Sequence, residues 1–152
     1  MKYDRNKAIA YANKYALSKN PDYYYFGGIG GDCTNFISQC LHAGGFDMVY
    51  DDFEGWFYVN PNFRSASWTG VEFLRNFLLQ ADAAPNGEIV GRDELQEGDI
   101  IFLNNGLRYY HSLFVSKIEN GQIYVCAHSF AAQNRNLNDY KFFKSEFVHI
   151  KD

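Results

Sequence analysis

Apolar residues keep a helical spacing through the first half of the chain and an alternating one through its last third. Over residues 4–18, Ala8, Tyr11, Ala12, Tyr15 and Ala16 recur at the interval that puts them on one helix face, with Asp4 as N-cap and Asn20-Pro21 beyond the end. A second helix is predicted over 33–43. Phe36, Ile37, Cys40 and Leu41 form its buried stripe, Asp32 is a natural N-cap, and Gly44-Gly45 stops it. A third is predicted over 70–81, where Val71, Leu74, Phe77 and Leu78 face inward and Thr69 and Glu72 stand at capping-box spacing. Residues 46–66 are rich in aromatics without a period and read as a long loop, and 82–97 are turn-rich. Beyond them the period falls to two. Residues 99–103, 109–118, 122–130 and 147–150 read as strands, and Asn120-Gly121 is a two-residue hairpin signal. Helices first and an antiparallel sheet after make an α+β pattern, expected as one domain over residues 1–152.

Composition narrows the function classes. Hydrophobic residues are 47% and charged residues 21%, which excludes intrinsic disorder and allows a sizeable core. A formal net charge of −4 argues against a nucleic-acid partner, which needs a basic face, and gives no general attraction to membranes or anionic wall polymers. The first 21 residues lack the apolar run of a signal peptide, and no stretch is apolar enough to span a membrane. Three cysteines, at 33, 40 and 126, cannot all pair, so the monomer holds at least one free thiol. They do not stand at zinc-site spacing, so neither metal nor cofactor is expected.

Cys33 carries the candidate chemistry. It opens a predicted helix directly after the glycine-rich stretch 27–31. Unpaired N–H groups and the positive end of the helix dipole stabilise a thiolate at such a position. A nucleophilic cysteine also needs a base. His111 and His128 lie on the two strands joined by Asn120-Gly121. With a two-residue turn, paired residue numbers sum to 241, so Leu113 opposes His128 and Val115 opposes Cys126. On that register His111 and His128 share a face as diagonal neighbours, within reach of a ring-to-ring hydrogen bond. A shift of one residue would send them to opposite faces. Cys40, on the apolar stripe, and Cys126, between valine and alanine, read as core. Asp32 reads as a cap, Asp99 as shaping the turn into its strand, and His42 and His149 as surface residues.

The run Gly31-Asp32-Cys33-Thr34-Asn35-Phe36-Ile37-Ser38-Gln39-Cys40-Leu41 resembles the signature of the putative amidase domain family, within the NlpC/P60 superfamily of papain-like cysteine hydrolases. Tyr3-Asp4-Arg5, Ser65-Ala66-Ser67-Trp68, Gly98-Asp99-Ile100-Ile101, His111-Ser112-Leu113-Phe114-Val115 and Ala127-His128-Ser129 resemble its other blocks, in order and over nearly the whole chain. The resemblance implies a papain-like fold, with N-terminal helices packed on a C-terminal antiparallel sheet. It implies Cys33 as nucleophile, His111 as base and His128 as the third polar residue. It also implies a substrate groove at Tyr24, Asp32, Trp68 and Tyr110. Tyr110 departs from the glycine that many NlpC/P60 members carry before the base, and a bulky side chain there narrows the groove.

The expected function is hydrolysis of an amide bond in a peptidoglycan stem peptide, by amidase or endopeptidase action through an acyl-enzyme. A separate wall-binding domain would supply attachment, and the resemblance favours an extracellular or cell-wall setting. The alternatives are a cysteine-dependent acyl transferase, a protein peptidase, or a non-catalytic module that binds wall peptide in a groove of Tyr23, Tyr24, Tyr25, Trp56, Phe57, Tyr58 and Trp68.

Overall fold

The computed structural model describes residues 2–28 and 31–152, so Ile29 and Gly30 of the glycine-rich stretch lie outside the described residues. Helix α1 is Arg5–Tyr15. Its start is the expected one, with the Asp4 carboxylate accepting the Lys7 backbone N–H at 3.0 Å. Ala8, Ala12 and Ala16 are wholly buried, and side chains this small let α1 lie close against the core. Helix α2 is Cys33–Ala43, and every residue from Cys33 to Leu41 is buried. A helix closed in on all sides is the centre of a molecule rather than its surface.

The third predicted helix is two helices, α3 (Ala66–Thr69) and α4 (Val71–Leu78), with extended Gly70 between them. The expected capping box does not form. Thr69 Oγ1 instead accepts from Arg64 Nε, and Glu72 Oε1 accepts the Tyr109 backbone N–H at 2.7 Å. The aromatic stretch 46–66 is ordered by a bridge between Val49 and Trp56 and by a short hairpin of β1 (Tyr58–Asn60) and β2 (Phe63–Arg64). It buries Trp56, Phe57 and Tyr58.

Six further strands form one antiparallel sheet in the order β3-β8-β4-β5-β6-β7. They are β3 (Gly87–Val90), β4 (Ile100–Asn104), β5 (Tyr109–Glu119), β6 (Gln122–Ala127), β7 (Ala132–Asn136) and β8 (Lys144–Ile150). The fold is therefore α+β, as the change of period implies. One sheet face, through Ile100, Phe102, Phe114 and Cys126, meets the helices; the other, through Ile101, Leu103, Leu113 and Val115, carries a second apolar layer. Asn120 and Gly121, with φ of 54° and 75°, make the tight turn between β5 and β6. Among the described residues no helix is long and apolar enough to cross a membrane.

Candidate active site

Two irregularities in β5 decide where the histidines go. Near the turn the pairing runs as expected, with Glu119 opposite Gln122, Ile118 opposite Ile123 and Lys117 opposite Tyr124. A bulge at Ser116 then shifts the register by one residue, so Val115 faces Val125 and Phe114 faces Cys126. The expected pairs Leu113–His128 and Val115–Cys126 are not formed. An extra residue moves all that follows to the opposite face. His111 keeps the parity of Leu113 and Val115 and stands on the far layer, where its rung partner is Leu103. His128 goes to the helix face, stacked on Phe36 with ring centroids 4.3 Å apart.

His128 therefore does not orient His111. Its Nδ1 lies 2.6 Å from Asp32 Oδ2, and its Nε2 lies 2.7 Å from the Tyr15 carbonyl oxygen. Asp32, 1% exposed, makes no capping bond to its own helix; its Oδ1 accepts from the Phe26 backbone N–H at 2.8 Å and from Asn35 Nδ2 at 2.9 Å. Asn35 Oδ1 in turn accepts from Trp68 Nε1 at 2.9 Å. Trp68, Asn35, Asp32 and His128 are thus one buried polar chain joining α3, α2, the end of β6 and the last turn of α1. Asp32 and Trp68 are closed to any ligand and act on the site by holding the turn that presents Cys33.

The other expected residues divide. Cys33, His111 and Tyr110 line one cavity of about 510 Å³, with Gly27, Gly28, Gly31, Ser129, Phe130, Arg135 and Tyr140. Tyr24 lies outside it, half-exposed over a separate depression formed by 19–25 and Pro61. Trp56, Phe57, Tyr58 and Trp68 are buried, so four of the seven aromatics expected to line a binding module's groove are core, while Tyr23, Tyr24 and Tyr25 line that depression. Cys40 and Cys126 are core as well, and burial pushes both thiols up.

The geometry that joins Cys33 to His111 is local. Pairing of β5 with β6 reaches only as far as Phe114 and Cys126, and the chain then turns away through Ser129 and Phe130 at φ of 54° and 81°. The first residues of β5 keep β4 as their sheet neighbour, which leaves a notch in the sheet. The N-terminus of α2 faces this notch. Thr34 Oγ1 and Ser112 Oγ, both buried, are hydrogen bonded at 3.1 Å, so the residue after Cys33 is fastened to the residue after His111. A second bulge, at Tyr110, lies between the pairs Leu103–His111 and Asn104–Tyr109 and turns the Tyr110 ring to the cavity, its hydroxyl donating to the Lys141 carbonyl at 3.2 Å. Gly31, at φ 107°, makes the turn into α2, where an added Cβ would sit 3.4 Å from Ser129 Oγ. Ser129 Oγ accepts the Asp32 backbone N–H at 2.6 Å.

The electrostatics of the cavity are simple. No carboxylate lines it among the described residues, and Arg135 is its one fixed cation. Burial alone lowers the pKa of His111 to about 4, so the ring is neutral at neutral pH. The first backbone N–H groups of α2, at Cys33, have no intrahelical acceptor. The arrangement supplies a thiol, a neutral base and helix-terminal donors in one cavity.

Comparison with known proteins gives this site a family. The profile described as "Putative amidase domain" matches residues 2–150. The chain belongs to the putative amidase domain family. It is also 35% identical over 127 residues to the uncharacterized protein YhbB of Bacillus subtilis (strain 168), covering 80% of this chain and 39% of that protein. It is 31% identical over 137 residues to the uncharacterized protein YjcM of the same strain, covering 84% of this chain and 31% of that protein. The chain thus spans between three and four tenths of the curated relatives it matches. No solved structure matches.

For a putative amidase domain, sequence reasoning missed four of the ten residues of the cavity wall. Ser129 and Phe130 lie at a non-glycine left-handed turn that no residue type announces. Arg135 lies on a short, polar strand, and Tyr140 lies between that strand and β8, where there is no period to read. Thr34 and Ser112 were visible as neighbours of Cys33 and His111, but their bond depends on the register.

Proposed function

We propose that this chain is a cysteine-dependent amidase of papain-like, NlpC/P60 type that cleaves an amide bond in peptidoglycan stem peptide. The observation that carries the reading is the shared cavity of Cys33 and His111, one at the N-terminus of a buried helix and the other on the facing sheet. Cys33 Sγ attacks the carbonyl carbon while its proton passes to His111, and the oxyanion is held by helix-terminal N–H groups. The tetrahedral intermediate collapses as His111 returns the proton to the leaving nitrogen, giving a thioester and a free amine. Water then attacks the thioester, losing a proton to His111, and the acid leaves as Cys33 regains its proton. Tyr110 and Phe130 line the space next to the thiol and suit an unbranched peptide better than a folded chain. Since a net charge of −4 gives no attraction to anionic wall polymers, wall attachment is assigned to a partner domain.

The test is thiol alkylation across pH with the modified site mapped by mass spectrometry, followed by a product screen on peptidoglycan fragments. Cys33 is expected to label ahead of buried Cys40 and Cys126. Cys33→Ala is expected to lower product release by roughly 10³-fold or more while the fold survives. Equal labelling of the three thiols, or turnover retained without Cys33, would overturn the reading.

A further inference from the structure

His111 Nε2 is buried without a hydrogen-bond partner, and so is the Tyr140 hydroxyl. No other buried side-chain nitrogen or oxygen among the described residues is in this state. Native interiors rarely leave such atoms unpaired, and a pair of them side by side asks for a reason. Both residues line the cavity that holds Cys33, and their ring centroids are 6.3 Å apart at an interplanar angle of 46°. The two atoms do not touch in this arrangement, so the contact forms by movement of the side chains within the cavity they share. The two are complementary, because an imidazole N–H donates and a phenolic oxygen accepts.

We propose that Tyr140 is the positioning residue of His111, its hydroxyl oxygen accepting a hydrogen bond from Nε2–H as the reaction proceeds. The inference rests on the cysteine-hydrolase reading above. A neutral imidazole has one donor and one acceptor nitrogen. Fixing Nε2 as donor leaves Nδ1 as acceptor, and Nδ1 is the nitrogen not sealed away from the cavity. That tautomer is the one able to take the Cys33 proton. Once the proton has moved, both nitrogens donate and the ring is positive; the Tyr140 oxygen then stabilises a charge that the apolar layer around Leu103 and Leu113 otherwise opposes. His128 cannot serve, because both its nitrogens are engaged on the other face of the sheet.

The titratable and charged groups facing His111 are Cys33 on α2, Tyr110 on β5, Arg135 on β7 and Tyr140 beyond it. Burial raises the Tyr140 phenol, and the Arg135 guanidinium, 4.3 Å over the ring, offsets only part of the rise through its charge and its approach to the hydroxyl, so Tyr140 stays a neutral hydroxyl. A neutral acceptor orients the base without contributing a negative charge.

The test is the tautomeric state of His111 in the ¹⁵N-labelled full chain, read from long-range imidazole ¹H–¹⁵N correlations, in wild type and in Tyr140→Phe. Wild type is expected to hold the Nε2–H tautomer, and Tyr140→Phe, which keeps the ring and loses the oxygen, to shift toward Nδ1–H. In kinetics the same variant is expected to lower kcat roughly 10- to 100-fold with KM within about twofold, and to move the acid limb of kcat/KM to lower pH. A ring that only packs would leave the tautomer and the limb where they are, and that result overturns the proposal. If Tyr140→Phe does not fold, wild type alone decides, since an Nδ1–H tautomer there contradicts the assignment. A wild type without turnover whose tautomer still shifts in Tyr140→Phe counts against the amidase reading and supports the positioning contact.

Discussion

His111 is buried, and among the described residues no carboxylate lines its cavity to oppose the effect of burial on its protonation. Its folded pKa of about 4 lies below the ordinary value of 6.5. In the unfolded chain the ring takes up a proton below pH 6.5, and in the folded protein it does not until the pH nears 4. The unfolded state therefore binds more protons across that window. Stability present above pH 6.5 is lost as pH falls through it, by on the order of 3 kcal/mol in full. Denaturation of wild type and His111→Gln from pH 7 to pH 4 measures this slice, which the variant lacks. On the proposed mechanism His111 acts as the neutral ring, so the acid limb of kcat/KM is expected below 6.5 as well. An acid limb at or above 6.5, or equal pH-dependence of stability in the two proteins, would sink the argument.

At the scale of elements, the Thr34–Ser112 bond sets the spacing between the helix that presents Cys33 and the strand that presents His111. Thr34→Val alone leaves the buried Ser112 hydroxyl unpaired and Ser112→Ala leaves Thr34 Oγ1 only the Cys33 thiol at 3.8 Å, at a cost of about 1–3 kcal/mol, whereas the double variant removes both polar groups. The double is therefore expected to cost less than the sum of the singles, with a coupling of at least about 0.5 kcal/mol and a kcat roughly tenfold below wild type. Urea denaturation of the four members of the cycle measures the coupling; strict additivity would show that the bond does not link the elements. The same bond shows where sequence reasoning holds and where it stops. Helix α2 is readable because Phe36, Ile37, Cys40 and Leu41 repeat at its period, and the β5–β6 hairpin because Asn120-Gly121 has a dedicated conformation. The face of His111 is another matter. It turns on one extra residue, Ser116, whose bulge leaves the alternation of apolar side chains on either side intact. The motif blocks around Trp68 and Asp32 place both in the substrate groove, whereas both are buried beneath the site. Composition does not distinguish an aromatic or a carboxylate that touches a ligand from one buried beneath the site.

Over the whole molecule the two ends of the chain are fastened through one carboxylate. Asp99 is wholly buried at the entry to β4, and its oxygens accept from Arg5 Nη1 at 2.9 Å, the Gln96 N–H at 2.8 Å, His149 Nδ1 at 3.0 Å and the Ile150 N–H at 3.0 Å. Arg5 continues the clamp to the Glu97 carbonyl at 2.8 Å and the Ile150 carbonyl at 2.6 Å. The first turn of α1, the 96–99 turn and the last residues of β8 thus meet at a single point. The role expected of Asp99 in shaping its turn is only a part of this, and the remainder is invisible locally because Arg5 and His149 are distant in sequence. Removing one partner of a buried ion pair costs about 3–5 kcal/mol, since the other charge is left uncompensated. Asp99→Asn turns an acceptor into a donor against Arg5 or His149, and belongs to that class. In a chain of this length 1 kcal/mol moves Tm by roughly 2–4 °C, so Asp99→Asn is expected to melt about 10 °C below wild type. Arg5→Ala leaves the wholly buried Asp99 carboxylate without this cation but with three other hydrogen-bond donors, and a fall of similar size is expected of it. The clamp does not line the Cys33 cavity, so kcat/KM at 25 °C should be unchanged in both variants. Calorimetry paired with that assay separates fastening from chemistry: a Tm within a degree of wild type, or a loss of activity without a loss of stability, would show that Asp99 does something other than join the ends.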